Sequence, residues 1–227
     1  MHVAIILDGN RRYAKKIGID ILKGHEHGAR KIIELLGWLE ELGAKEATLY
    51  CLSTENLKRS PVEVAALMML FRKAIIDSLK DERIHKNKIR IRFIGKLELL
   101  PKDLQKSMSE LMEATKRYDK YKVNFAVAYG SHEEITSAAK KIAEDVKNGK
   151  ITPESITEEK FSEYLYLSDE PDLLIRPGGE KRISNFILWQ LSYAELIFLD
   201  KLWPEITKQD IIDCILEFKT KERRKGK

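Results

Sequence analysis

Residues 172–186 (DLLIRPGGEKRISNF) set Arg176, Gly178, Gly179, Arg182 and Ser184 directly behind a short apolar run. That set suits a polyanion. Guanidinium groups offer paired donors to phosphate oxygens, and a Gly-Gly turn lets successive amides form an anion-binding concavity. An ordinary strand-to-helix turn with solvated charges reads the same way. Residues 8–13 (DGNRRY) also follow an apolar run. Asp8 can serve Mg²⁺, which favours one or two carboxylates plus substrate phosphate oxygens, or it can cap the next helix. Gly9, Asn10, Arg11 and Arg12 form a backbone-plus-arginine cradle at a helix N-terminus, where the dipole favours anions. Residues 53–59 (STENLKR) close a third apolar run. His25, beside Gly24, reads either as a phosphate donor or as a surface or capping residue. Glu195 lies in an apolar stretch, where a carboxylate needs a metal or a cationic partner. Walker-type phosphate-loop spacing is missing, which argues against nucleotide hydrolysis.

These groups need a scaffold. The continuous apolar run at residues 3–7 predicts a strand buried on both faces. Further strands are predicted over residues 47–52, 89–94, 123–128, 173–175 and 196–199. Helical spacing of apolar residues predicts helices over 24–43, 60–79, 102–118 and 131–149, a weaker one over 161–167, and others over 183–190 and from 207. Residues 60–63 (SPVE) and 131–134 (SHEE) read as capping boxes. Alternation with short joints predicts an α/β fold, a mainly parallel sheet flanked by helices. No repeat or long linker interrupts it, so residues 1–227 read as one domain. Ligands of open parallel sheets bind beyond the carboxyl ends of the strands. Here those ends carry DGNRR, STEN, Gly95, Tyr129 to Ser131, and RPGG.

Composition narrows the partners. Lys and Arg number 41 against 36 Asp and Glu, a net charge of +5, so anionic partners are expected. Much of the excess lies in Lys219, Lys221, Arg223, Arg224, Lys225 and Lys227, which read as a solvated terminus. Basic residues are not interleaved with exposed aromatics, and no nucleic-acid partner is expected. Cys51 and Cys214 sit in apolar surroundings and read as free thiols in a reducing compartment. A strand from Val3 leaves no room for a signal peptide. Residues 186–199, broken by Gln190, Ser192 and Glu195, are too short and polar to span a bilayer. A cytoplasmic protein is expected.

With residues 6–14 (ILDGNRRYA), the pair Gly24 and His25, residues 52–59 (LSTENLKR), and residues 172–195 with the following LWP at 202–204, the chain resembles a cis-prenyltransferase over essentially its full length. That is the undecaprenyl/dehydrodolichyl diphosphate synthase family; Arg11 and Tyr13 resemble its archaeal and eukaryotic branch. The resemblance implies sequential Z-condensation of isopentenyl diphosphate onto an allylic starter, geranylgeranyl or farnesyl diphosphate. The product is a long polyprenyl diphosphate serving as precursor of a glycosyl carrier lipid. It implies Asp8 and Asn56 as catalytic residues and Mg²⁺ held by Asp8 and Glu195. Gly9, Asn10, Arg11, Arg12, Tyr13, His25 and Arg59 would hold the starter. Arg176, Arg182, Ile183 and Ser184 would hold isopentenyl diphosphate, while Ser53, Glu55 and Asn56 lie on a mobile loop, from which Ser53, Thr54 and Glu55 would contact substrate. An apolar tunnel lined by residues 64–79 and by Ile89, Ile91 and Phe93 would take the growing chain; an ordinary core reads the same way. A homodimer is implied, with peripheral membrane contact during product release. A non-catalytic partner subunit of such an enzyme is the alternative. Two positions depart from the family: Ile21 replaces an arginine, with Lys23 as candidate substitute, and Leu57 replaces a loop aromatic.

Overall fold

In the computed structural model, which describes residues 1–221, strand and helix alternate almost from the first residue. β1 (His2–Ile6) leads into α1 (Asn10–Ile17) and α2 (Ile21–Glu41), and β2 (Glu46–Ser53) into α3 (Pro61–Leu79) and the short α4 (Glu82–Lys86). β3 (Ile89–Ile94), α5 (Lys102–Thr115), β4 (Tyr121–Tyr129), α6 (Ser131–Lys147) and α7 (Glu158–Glu163) follow. β5 (Leu173–Pro177), β6 (Glu195–Leu199) and α8 (Lys208–Thr220) complete the described chain. The six strands form one sheet in the order β3-β4-β2-β1-β5-β6, every neighbouring pair parallel. Arg223, Arg224, Lys225 and Lys227 of the basic terminus lie outside the described residues. Among those described, no helix is long and apolar enough to cross a membrane.

Alternate residues of β1 face opposite layers, and both layers are apolar. Val3 and Ile5 pack with Leu35 and Leu39 of α2, Trp203, and Ile211, Cys214 and Ile215 of α8. Ala4 and Ile6 pack on the other face against Leu174, Phe186, Ile187 and Leu191. Burial on both faces is why the strand reads as an uninterrupted apolar run. α3 and α5 bring Leu67, Met68, Ile75, Leu104, Met108 and Leu111 onto Ile91 and Phe93 of β3. Of the residues expected to line a tunnel, Leu67, Met68, Ile75, Ile91 and Phe93 are packed as core, while Met69 and Ile76 face outward. A cavity of about 50 Å³ lies below α2, lined by Leu36, Leu39, Ala47, Ile89, Tyr121 and Val123.

Two local expectations are corrected. Residues 183–190 are not a helix: Ser184, Asn185 and Ile187 have φ of 50°, 60° and 34°. Tertiary hydrogen bonds take up the polar groups a helix would have paired. Asn185 O accepts from Ser131 N at 2.8 Å, Asn185 Oδ1 from His132 N at 2.9 Å, and Ser131 Oγ from Leu188 N at 2.9 Å. Phe186 is pinned by stacking on Tyr50, centroids 4.5 Å apart. Neither predicted capping box closes. Ser60 does cap α3, accepting from Glu63 N at 3.3 Å, but the Glu63 carboxylate is turned elsewhere. The N-cap of α6 is Gly130, and buried Glu134 accepts from Tyr166 N at 2.8 Å.

Candidate functional site

At the carboxyl rim of the sheet, β1 delivers Asp8 and its neighbour β5 delivers Arg176. Arg176 Nη2 donates to Asp8 Oδ2 at 2.8 Å, and Arg12 Nη2 lies 3.1 Å from Asp8 Oδ1. Arg176 is only 3 % exposed; it also donates to Ser184 Oγ at 2.7 Å and to the Arg182 carbonyl. Two guanidinium groups, one carboxylate and a hydroxyl therefore meet, drawn from two stretches more than 160 residues apart. The Asp8 side chain stays 29 % exposed, open to a ligand from the rim. Arg12 donates to Gly178 O at 2.5 Å, and Glu180 reaches both Arg12 (3.9 Å) and Arg182 (2.5 Å).

The glycines act differently from the expected amide cradle. Gly178 N donates to Lys201 O and Gly179 N to Leu199 O, both at 2.8 Å, so these amides are taken up by the chain at the carboxyl end of β6. What Gly178 supplies is room: a Cβ there, at φ +103°, would lie 2.7 Å from Arg12 Nη2 and 3.2 Å from Asp8 O. Gly9, at φ +120°, packs equally close on Leu202, whose Cβ would stand 3.0 Å from an added one. Trp203 N donates to Asp8 O at 2.9 Å, and its indole N–H to Gly28 O at 3.0 Å. The LWP segment thus pins Asp8 to α2.

α1 carries Arg11 and Arg12, and its N-terminus has no side-chain cap and no acidic residue in its first turn. Its first-turn amides and positive dipole end favour an anion at the rim. Asn10, expected in the anion cradle, turns its side chain to α2: a Cβ on Gly28 would lie 2.1 Å from Asn10 Oδ1. Tyr13 likewise packs on His27 of α2, ring centroids 5.5 Å apart. His25 is 8 % exposed, and its Nε2 lies 3.2 Å from Glu63 Oε1. Burial holds the His25 pKa below its ordinary value, opposed by Glu63 and aided by Arg59 and Arg11. Arg59 Nη1 and Arg11 Nε reach the same Glu63 oxygen at 3.0 and 3.8 Å. Ile21, the first residue of α2, and Lys23 are exposed.

The loop after β2 closes on itself. Ser53 N donates to Asn56 Oδ1 at 3.2 Å, and Asn56 N to Ser53 Oγ at 3.1 Å. Burial pushes the Glu55 pKa up, but hydrogen bonds from its own N–H and from Ser53, Thr54 and Asn185 bring it below the usual carboxylate range. Thr54 N donates to Tyr129 O at 3.0 Å, and Ile183 is half-buried against the cluster under the 183–194 segment.

Glu195 requires a correction. Parallel register pairs it with Leu173, the first residue of β5, while Arg176 pairs with Phe198. It therefore stands at the amino end of the sheet, a strand's length from the rim, and does not share a metal with Asp8 within one chain. Among the described residues, no cluster of three or more His, Cys, Asp or Glu could hold a metal. Sequence reasoning missed Glu63, Glu180 and Asn185 as site residues. Glu63 lies four residues after Arg59, an ion-pair spacing that was legible; the contacts of Asn185 are purely tertiary.

Comparisons with known proteins agree with this geometry. A family model described as "Putative undecaprenyl diphosphate synthase" matches residues 6–226. The chain is 47% identical over 230 residues to the tritrans,polycis-undecaprenyl-diphosphate synthase (geranylgeranyl-diphosphate specific) of Methanocaldococcus jannaschii, covering 100% of this chain and 82% of that protein. A Thermoplasma volcanium protein of the same description is 47% identical over 228 residues, covering 100% and 88%. The crystal structure of lavandulyl diphosphate synthase from Lavandula x intermedia, in complex with dimethylallyl diphosphate, superposes with a TM-score of 0.94 at 35% identity, covering 100% and 98%. A Campylobacter jejuni structure described as a probable undecaprenyl diphosphate synthase gives 0.82 at 34%, also covering 100% and 98%.

Proposed function

The chain belongs to the undecaprenyl diphosphate synthase family of prenyltransferases, and from that premise we propose that it extends geranylgeranyl diphosphate with isopentenyl diphosphate into a long cis-polyprenyl diphosphate, the precursor of a glycosyl carrier lipid. The observation that carries this reading is the Asp8, Arg12, Arg176 and Ser184 constellation at the rim. The geranylgeranyl preference rests on the archaeal relatives of that specificity.

In the reaction, the starter's C1–oxygen bond ionises and the isopentenyl double bond attacks C1. A proton then leaves to set a new Z double bond. Arg176 and Ser184, with Arg182 at the edge, hold the isopentenyl diphosphate. Arg11, Arg12, His25, Arg59 and the α1 amides hold the starter's diphosphate and stabilise its charge as it departs. Fixing both diphosphates on one rigid rim aligns C1 with the double bond. Asn56 Oδ1 already accepts from Ser53 N. An amide is a poor base, so Asn56 relays the proton to water or phosphate.

Magnesium fits here as an ion completed by substrate, because Asp8 offers one rim-facing carboxylate and, among the described residues, no protein cage surrounds it. Asp8 would hold it together with substrate phosphate oxygens, and it supplies neutralisation of the leaving diphosphate. β6 is an edge strand that carries exposed Leu196 and follows exposed Tyr193, which supports a homodimer through that edge. Free thiols at Cys51 and Cys214, both raised by burial to about 12, accord with a reducing cytoplasm. Exposed Val62 and Met69 on α3 accord with peripheral membrane contact.

Radiolabelled isopentenyl diphosphate, offered to the purified chain with geranylgeranyl or farnesyl diphosphate, tests the reading. Elongation from geranylgeranyl diphosphate is expected. Preference for farnesyl diphosphate would overturn the starter assignment. No product from either, with activity appearing only on adding a second subunit, would favour the non-catalytic alternative.

A further inference from the structure

The groups assigned to the starter's diphosphate already have an anion. Arg59 Nη1, His25 Nε2 and Arg11 Nε lie 3.0, 3.2 and 3.8 Å from one oxygen, Glu63 Oε1. They come from three places: α1, α2 and the loop that opens α3. The Glu63 and His25 side chains are 11 % and 8 % exposed, while Arg11 reaches in from the rim with its own side chain 54 % exposed. We propose that Glu63 is an internal counter-ion of the allylic-diphosphate subsite, pairing its cations between ligands and surrendering them when a diphosphate enters. This rests on the functional reading above and goes beyond it. It makes Glu63 a positioning residue that sets starter affinity and product release through Arg11, His25 and Arg59.

Charge explains the exchange. Left without an anion, Arg11 and Arg59 would repel across the site, and Arg59, the less exposed of the two, would lack a counter-charge. One carboxylate relieves this, and a diphosphate, with more charge and more acceptor oxygens, outcompetes it when present. The incoming ligand must displace an intramolecular pair, so its apparent affinity falls by the fraction of time the cations are free. The same pair assists the last step. A product held by a long apolar tail and a diphosphate would leave slowly from bare cations, and Glu63 re-pairs them as the diphosphate withdraws. An ordinary i,i+4 surface bridge would do none of this and would contribute little.

Inorganic pyrophosphate, as a competitor of geranylgeranyl diphosphate on the full chain, is the probe. In Glu63→Gln it should inhibit at about fivefold lower concentration or less. KM for the starter should fall, KM for isopentenyl diphosphate should stay the same, and kcat should drop with a first-turnover burst. Glu63→Asp keeps the charge but retracts it by one methylene, and should give a smaller shift of the same sign. This second variant decides the matter if Glu63→Gln does not fold. Unchanged or weaker pyrophosphate inhibition, or equal shifts in both KM values, would overturn the proposal. Wild-type protein that elongates no starter would instead overturn the functional reading itself.

Discussion

At the scale of single residues, Asp8 has two tasks that one substitution can separate. Its carboxylate faces the rim and also neutralises Arg176, which is buried. Asp8→Asn keeps the shape and a hydrogen-bond acceptor while removing the charge. We expect kcat to fall about a hundredfold or more, as for loss of a transition-state charge partner, with a much smaller fall in Tm. Near-normal turnover of that variant would remove Asp8 from the chemistry. Gly178→Ala tests the close approach of β5 to Asp8. Its Cβ would collide with Arg12 Nη2 at 2.7 Å, and its φ of +103° strains any other residue. A loss of about 1–3 kcal/mol is expected from denaturation, together with weakened starter binding as Arg12 is displaced. Arg182→Ala should raise KM for isopentenyl diphosphate far more than for the starter, since Arg182 borders Arg176 and Ser184 rather than the Glu63 cluster. Equal effects would place Arg182 outside that pocket.

At the scale of elements, two glycines of α2 should behave oppositely. Gly28 lets α1 approach so closely that a Cβ would stand 2.1 Å from Asn10 Oδ1. Gly28→Ala should cost about 1–3 kcal/mol by overpacking, and it should raise KM for the starter because α1 carries Arg11 and Arg12. Gly37 lies on an exposed face of the same helix with nothing within 4 Å of an added Cβ. Gly37→Ala should stabilise by about 0.5–1 kcal/mol through reduced chain entropy in the unfolded state. Matched urea melts read both signs at once. Residues 183–190 teach the complementary lesson: their apolar pattern predicts a helix, yet bonds to Ser131 and His132 and stacking on Tyr50 hold them in turns.

At the scale of the whole molecule, pH dependence comes from the end of the sheet opposite the site. His2 Nε2 meets Thr48 Oγ1 at 2.7 Å in a buried network that joins Thr48, Asn124 and Glu46. Burial lowers the His2 pKa, against the pull of Glu46. The unfolded chain therefore binds more protons than the native one below the ordinary histidine value of 6.5, and stability falls as pH drops through that region. His25, lowered for the same reason, acts in the same direction. His2→Gln should remove part of this slope: between about pH 6.5 and 5, wild type should lose more stability than the variant. Parallel curves would mean that His2 keeps its ordinary pKa in the folded protein.

Local rules were enough for the strand and helix alternation, the parallel sheet and the rim where the charged segments end, because a strand buried on both faces must be apolar and its chemistry can begin only where it stops. They also singled out Asp8, Arg12, Arg176 and Ser184 by residue type, and the fold brings these four together at that rim. Tertiary structure alone decided the rest. Register carried Glu195 to the far end of the sheet, since a side chain's position along a parallel ladder depends on the neighbouring strand and not on its own sequence. Packing turned Asn10 onto Gly28, tied the Gly178 and Gly179 amides to the chain at the end of β6, and brought Arg11 and His25 to the Glu63 that Arg59 already pairs. Those outcomes depend on distances between segments that are remote along the chain.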